Sequence, residues 1–278
     1  MHDWISENIR AKAYRVDELN LTFDLGKLED FGPANIYGTA HAEGAEIQFH
    51  SGLPPVKADV VKIAYRNDRL SFDLEHPVYL DKNLVGSEVF IDKLTKHNPL
   101  LAVIIKTASR FDGAVLNILE GFGIRVPLRQ EKGVTQAELN LLFTLPGFDL
   151  QTSGNFVTGP GHWIWRGVPF QAQGAKVLLD NNEVIIHEAD ISFGDTLKTT
   201  LFGTVNTASK QAALISEIKL LCLSAKGLPL LQAENLTMPL AIDFGHEPIA
   251  IDLDKIGTTI AVNGKTKVIN IKDFLDAD

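Results

Sequence analysis

The chain has 278 residues, 45% of them apolar and 22% charged, with a net charge of −9. That is enough apolar side chain for an extensive core, but no basic cluster longer than a pair of Lys/Arg occurs. A nucleic-acid surface, which needs a basic patch to displace counterions, is therefore excluded. A single cysteine, Cys222, rules out an intrachain disulfide, and no stretch approaches the ~20 apolar residues of a membrane-spanning helix.

Taken in chain order, residues 3–15 read as a short amphipathic helix with Trp4, Ile5 and Ile9 on one side. From there the dominant period is two. Ile47 and Phe49 point one way, and Glu46, Gln48 and His50 the other. Val61, Ile63 and Tyr65 alternate with Lys62, Ala64 and Arg66. After Asn67-Asp68, Leu70, Phe72 and Leu74 alternate with Arg69, Ser71 and Asp73. Such patterns mark strands with one apolar and one wet face. The Asn-rich pair between them tolerates the positive φ of a tight hairpin, as do Asn181-Asn182 and Asn263-Gly264.

Residues 93–121 break the pattern. Pro99 and the apolar run after it predict one helix over Asp92 to Ser109. An Asp112 cap, Val115, Leu116 and Leu119 at helical spacing, and a Gly121 stop predict a second. Strand alternation resumes over 137–143, at Trp163 and Trp165, at Val177 and Leu179, and at Val184, Ile186, Ile191 and Phe193.

A motif returns three times, each time opening a run of short apolar strands: Gly52-Leu53-Pro54, Gly167-Val168-Pro169 and Gly227-Leu228-Pro229. Sliding the first block onto the second aligns Lys62 with Lys176, Asn67 with Asn181, Leu70 with Val184, Phe72 with Ile186 and Tyr79 with Phe193. Repetition on this scale implies an elongated or stacked β architecture. No Ser-, Pro- or Gly-rich linker divides the chain, so residues 1–278 read as one continuous module.

Catalytic and metal signatures are missing. None of the eight histidines stands at i, i+4 from another, and no HExxH, CxxC or GxSxG occurs. His187, Glu188 and Asp190 form the tightest acidic–His cluster, and Asp243 and Glu247 flank His246, but neither has ligand spacing for a metal. No enzyme activity, metal or cofactor is expected. What remains is a series of apolar strand faces. They can pack against each other as a closed sandwich of a structural or interaction protein, or line an open trough for an apolar ligand.

Two blocks, residues 38–91 and 173–205, resemble the AsmA-like proteins, specifically their YhdP branch. Phe193-Gly194-Asp195, Gly203-Thr204-Val205 and the order Gln130, Gly133, Ala137 carry the likeness, which covers roughly residues 36–223. The resemblance implies a mostly β fold: an elongated, curved antiparallel sheet, U-shaped like a taco, with an apolar groove. It implies a periplasmic protein of the bacterial envelope that handles phospholipid or fatty-acyl chains between the inner and outer membranes. It also implies an inner-membrane anchor lying outside this chain, which is then a fragment or a shortened relative. On that reading the groove is lined by Ile47, Phe49, Val61, Ile63, Tyr65, Leu70, Phe72 and Leu74. From the second block it is lined by Trp163, Trp165, Val177, Leu179, Val184, Ile186, Ile191 and Phe193.

Overall fold

A computed structural model of the chain describes residues 8–23, 33–49, 51–123, 125–145, 147, 149–225, 228–245, 249–253, 258–263 and 266–271. It divides into two compact units: Met1–Ala108 with Ala137–Ser153, and Ser109–Gln136 with Gly154–Asp278. The secondary structure is mostly antiparallel strand, and the sheet is open rather than a closed barrel.

The first unit starts with β1 (Ile9–Arg10), β2 (Ala13–Phe23) and β3 (Pro33–Ile47). These are followed by β4 (Val56–Arg66), β5 (Arg69–Glu75), β6 (Val78–Tyr79), β7 (Lys82–Asn83), β8 (Glu88–Asp92) and β9 (Leu100–Ser109). The main ladder runs β2–β3–β4–β5–β8–β9, each pair antiparallel. The expected N-terminal helix is not formed where the structure describes it. Ile9 and Arg10 pair with Ile47 and Glu46, and Ala13–Phe23 lies along β3. Tyr14 and Val16 alternate with Arg15, and that period of two overrides the helical reading. Trp4 and Ile5 lie outside the described residues.

The expected helix over Asp92 to Ser109 is also a strand. Leu100–Ser109 forms β9 against β8, with Ile91 opposite Leu101 and Val89 opposite Val103. A continuous apolar run fits a strand buried on both faces as well as it fits a helix, and the β-branched Val103, Ile104 and Ile105 favour the strand.

The second unit contains α1 (Gly113–Gly121), the one helix of the expected pair that forms. Asp112 caps it by accepting from the Ala114 amide at 3.1 Å, and Ile118 and Leu119 are its buried residues. It ends at Phe122, beyond Gly121, and Gly123 takes the left-handed turn at φ +80°. Then come β10 (Leu128–Lys132), β11 (Thr135–Thr144, mostly in the first unit) and β12 (Asp149–Thr158). They are followed by β13 (Gly161–Trp165), β14 (Val168–Asp180), β15 (Glu183–Phe193), β16 (Leu197–Asn206) and β17 (Gln211–Ala225). β18 (Leu228–Ala233), β19 (Leu236–Asp243), β20 (Ile249–Leu253), β21 (Thr258–Asn263) and β22 (Thr266–Ile271) complete it. Its ladder runs β10–β13–β14–β15–β16–β17–β19–β20–β21–β22, with β18 on the end of β17.

The repeated block is a repeated hairpin. Asn67 and Asp68, at φ 53° and 63°, turn β4 into β5, and Asn181, at φ 51°, turns β14 into β15. Gly227 and Gly264 lie outside the described residues. Among the described residues, no helix is long and apolar enough to cross a membrane.

Candidate functional site

In each unit the strands sort their side chains onto two unlike faces. In the first, Val61 stands opposite Ala42 and Leu74, Ile63 opposite Ala40 and Phe72, and Tyr65 opposite Gly38 and Leu70. The row continues from Phe72 to Val89 and Val103, and from Leu70 to Ile91 and Leu101. Apart from Gly38, Ala40 and Tyr65, these residues join one cluster with Ile9, Ala45, Ala58, Ile47, Phe143 and Leu145. The opposite face carries ion pairs: Lys62 with Glu75, Lys57 with Glu46 at 3.2 Å, and Arg69 with Asp92 at 3.6 Å. Glu75 holds the Lys62 ammonium above its ordinary pKa by hydrogen bond and charge. The charged face is the one turned to water.

Burial is uneven across the apolar face. Val61 and Phe72 are buried, while Ile47, Phe49, Ile63, Tyr65, Leu70 and Leu74 are half-buried. Phe49 meets the buried Tyr79 edge to face, with ring centres 5.8 Å apart. At the outer strand β2, Tyr14, Val16, Leu19 and Leu21 sit opposite Ala42, Ala40, Gly38 and Ile36, and so extend the same face. They are 62%, 70%, 62% and 48% exposed. Sequence reasoning missed this stripe. A register shift between Val16 and Glu18 changes the parity from even to odd, which hides the period of two.

The second unit builds its face the same way. Val177 pairs with Ile186 and Leu179 with Val184; Ile186 continues to Gly203 and Val184 to Val205. Ile191 pairs with Ala172 and Thr199, and Phe193 with Leu197. Leu179 and Trp163 are buried; Trp165, Val177, Val184, Ile186, Ile191 and Phe193 are half-buried. Even-numbered Val184 and Ile186 share this face with odd-numbered Ile191 and Phe193 because the register shifts between Ile186 and Ala189. His187 and Glu188 are both exposed at that shift. Gly203, at φ +129°, stands where an added Cβ would overlap the Ala213 carbonyl, so only glycine lets β16 and β17 approach there.

Two assemblies in this unit were not legible in the sequence, although Trp163 and Phe193 of the first were expected to line the groove. The first is a row of rings. Phe111 contacts Phe156 (6.4 Å) and Trp163 (6.2 Å), Trp163 stacks near-parallel on Phe170 (6.5 Å, 18°), and Phe170 meets Phe193 (5.6 Å). The second is polar. Gln130, 1% exposed, accepts from the Phe111 amide at 2.9 Å and the Thr135 hydroxyl at 3.0 Å. Farther along, the buried hydroxyls of Thr199 and Ser216 bond each other at 2.6 Å within the apolar face. On the wet face, hydrogen bonds from Lys219 (2.8 Å) and Thr200 hold the Asp190 carboxyl below its ordinary pKa.

Among the described residues, no group of three His, Cys, Asp or Glu side chains could hold a metal. His246 and Glu247 lie outside them.

Fold and faces together define an open antiparallel β protein whose units each oppose an ion-paired face to an apolar one. The chain belongs to the YhdP protein family, whose model matches residues 1–254. No curated protein and no solved structure matches it. The family suggests an envelope-related role.

Proposed function

We propose that the chain is a non-catalytic lipid-binding or lipid-conducting module, with acyl chains lying on the apolar faces of its strands. It works in the periplasm, tethered to the inner membrane by a segment outside this chain. There it contributes to phospholipid transport between the inner and outer membranes and to envelope integrity. The observation that carries this reading is the apolar face of the first unit, whose buried and half-buried centre runs out onto the exposed Tyr14, Val16, Leu19 and Leu21. A soluble protein leaves such a continuous patch open only where something occupies it.

The energetics suit movement rather than storage. A sixteen-carbon tail gains about 13 kcal/mol on leaving water, at ~0.8 kcal/mol per methylene. A bilayer offers nearly the same, so exchange between membrane and protein is close to balanced. The headgroup stays in water, and direction comes from another component.

Native mass spectrometry and lipid extraction of the gently purified protein test the reading, together with titration by a fluorescent fatty acid. Co-purified phospholipid and saturable uptake are expected. A lipid-free protein that takes up no fatty acid would instead favour a structural or interaction module of envelope assembly. The free edge of β2, which among the described residues pairs only with β3, suits that second reading.

A further inference from the structure

The outer strand of the first unit, β2, carries the exposed Tyr14, Val16, Leu19 and Leu21 on an edge that pairs, among the described residues, with β3 alone. An unpaired edge is a template for another strand, and proteins blunt such edges with charges and bulges. β2 has both. Asp17 is the extra residue of a bulge, since Val16 stands opposite Ala40 and Glu18 opposite Thr39. Arg15 and Glu18 flank the bulge, and both are exposed. Their side-chain contacts are local: the Arg15 Nε lies 3.9 Å from the Asp17 carboxylate, and Glu18 accepts from the Asn20 amide at 2.7 Å.

Two conditions govern an antiparallel pairing. Opposite side chains share a face, and opposite residues turn their backbone N–H and C=O alike, both towards the partner or both away. The register with β3 sorts β2 by both conditions. Tyr14, Val16 and Leu19 stand opposite Ala42, Ala40 and Gly38, and so are of one kind. Arg15 and Glu18 stand opposite His41 and Thr39, and so are of the other. A second β2, antiparallel to the first about a two-fold axis between Val16 and Asp17, sets Arg15 opposite Glu18 and Tyr14 opposite Leu19. Each contact is made twice, and the two bulges face each other. Opposite charges meet on the wet face, and a ring meets a leucine on the apolar face. Sliding the second strand by two residues sets Val16 opposite Leu19 but Asp17 opposite Glu18, two like-charge contacts that the first register avoids.

We propose that β2 is a self-association edge, at which two copies of this chain pair β2 to β2 in the register that joins Arg15 to Glu18. The bulge and charges that bar an unrelated strand are matched by the same bulge and the complementary charges of a second copy. The apolar face of one first unit then continues into that of the other through the Tyr14 and Leu19 contacts. The contact is one strand wide, so the dimer is a weak one that forms as concentration rises. Nothing in this pairing depends on the acyl-chain reading above.

Sedimentation velocity of the full chain over a rising concentration series tests the pairing. The parent should move from monomer to dimer. Arg15→Glu and Glu18→Arg each turn two attractive contacts into two repulsive ones, so each variant alone should self-associate about tenfold more weakly. Mixed in equal amounts, the two variants should associate as readily as the parent does, because each swapped charge then meets its opposite. Both positions are exposed, so each variant alone should melt like the monomeric parent. A parent that stays monomeric throughout the series overturns the proposal, whether another segment covers the edge or nothing does. A dimer that both variants form as well as the parent, or variants that fail to associate on mixing, overturns it equally.

Discussion

The hairpins β4/β5 and β14/β15 come from the same repeated block, yet they reach their apolar faces by different routes. The first is regular: Val60 through Arg66 pair with Glu75 through Arg69 without a shift. The second has register shifts at Ala172/Gly174 and Lys176/Val177. The first hairpin ends soon after Glu75, where His76 adopts φ 49° and Tyr79 turns into the short pair β6–β7. Its aligned counterpart Phe193 instead continues β15 and joins the ring row. The lesson is that what repeats is the apolar face, and that strand length and strict alternation are free to vary as long as each shift restores it.

The comparison breaks most sharply at its aligned pair Phe72 and Ile186. Phe72 is 6% exposed and central to the first cluster, whereas Ile186 is half-buried. Phe72→Glu loses ring packing and buries a carboxylate without a partner. It is expected to destabilise by roughly 4 kcal/mol or more and to collapse the cooperative melt. Ile186→Glu should keep its strand content by circular dichroism and lose fatty-acid binding. If both variants unfold globally, the face is sealed core and the acyl-chain reading fails.

A second pair separates sequence alignment from register. Asp73 and His187 follow the aligned Phe72 and Ile186, but Asp73 pairs with Lys62 while His187 is skipped by the β14 ladder. Deleting Asp73 moves the residues beyond it to the other face and should cost roughly 3 kcal/mol in urea unfolding, the transfer of one or two large side chains. Deleting His187 leaves Val177 opposite Ile186 and Lys176 opposite Glu188, the pattern of the first hairpin. It should shift stability by less than about 1 kcal/mol. Equal costs for the two deletions would mean that the shift at His187 is itself required.

What was legible in the sequence follows from the same physics. Alternation at Val61, Ile63 and Tyr65 and the turn at Asn67-Asp68 are local signals, and both strand and hairpin stand where they predict. The Asp112 cap placed α1 to within a residue or two. β9 was misread because a run apolar on both faces has no period to read. The stripe on β2 was missed because its parity changes at Asp17. The Gln130 hub depends on Phe111, Thr135 and Thr158, brought together only by the fold. Alternation reports that a face is apolar; it does not report what covers it, and that left trough and sandwich unresolved.

The exposed stripe sharpens the contrast with the buried centre of the same unit. Val16→Glu and Leu19→Glu change residues that are 70% and 62% exposed, so the melting temperature should move little, within about 0.5 kcal/mol. If acyl chains reach the face across β2, fatty-acid affinity should fall about threefold for each, near 0.7 kcal/mol. Unchanged affinity would confine the ligand to the half-buried interior of the face.

The smallest expected effect lies on the wet face of the second unit, at Asp190. Hydrogen bonds from Lys219 and Thr200 depress its pKa in the folded state. Such a group adds stability that is fully present above its unfolded pKa, near 3.9, and lost as pH falls through the lower folded value. The carboxylate is 36% exposed and its Lys219 partner 60%, so screening leaves only a few tenths of a kcal/mol. Asp190→Asn should therefore lower stability slightly at pH 7 and flatten the acid limb of a pH–stability curve below about pH 4. The difference between parent and variant should shrink in 1 M salt, as expected for a solvent-facing pair. A variant as acid-labile as the parent would show that Asp190 carries none of that dependence. The apolar faces would then stand without help from this ion pair.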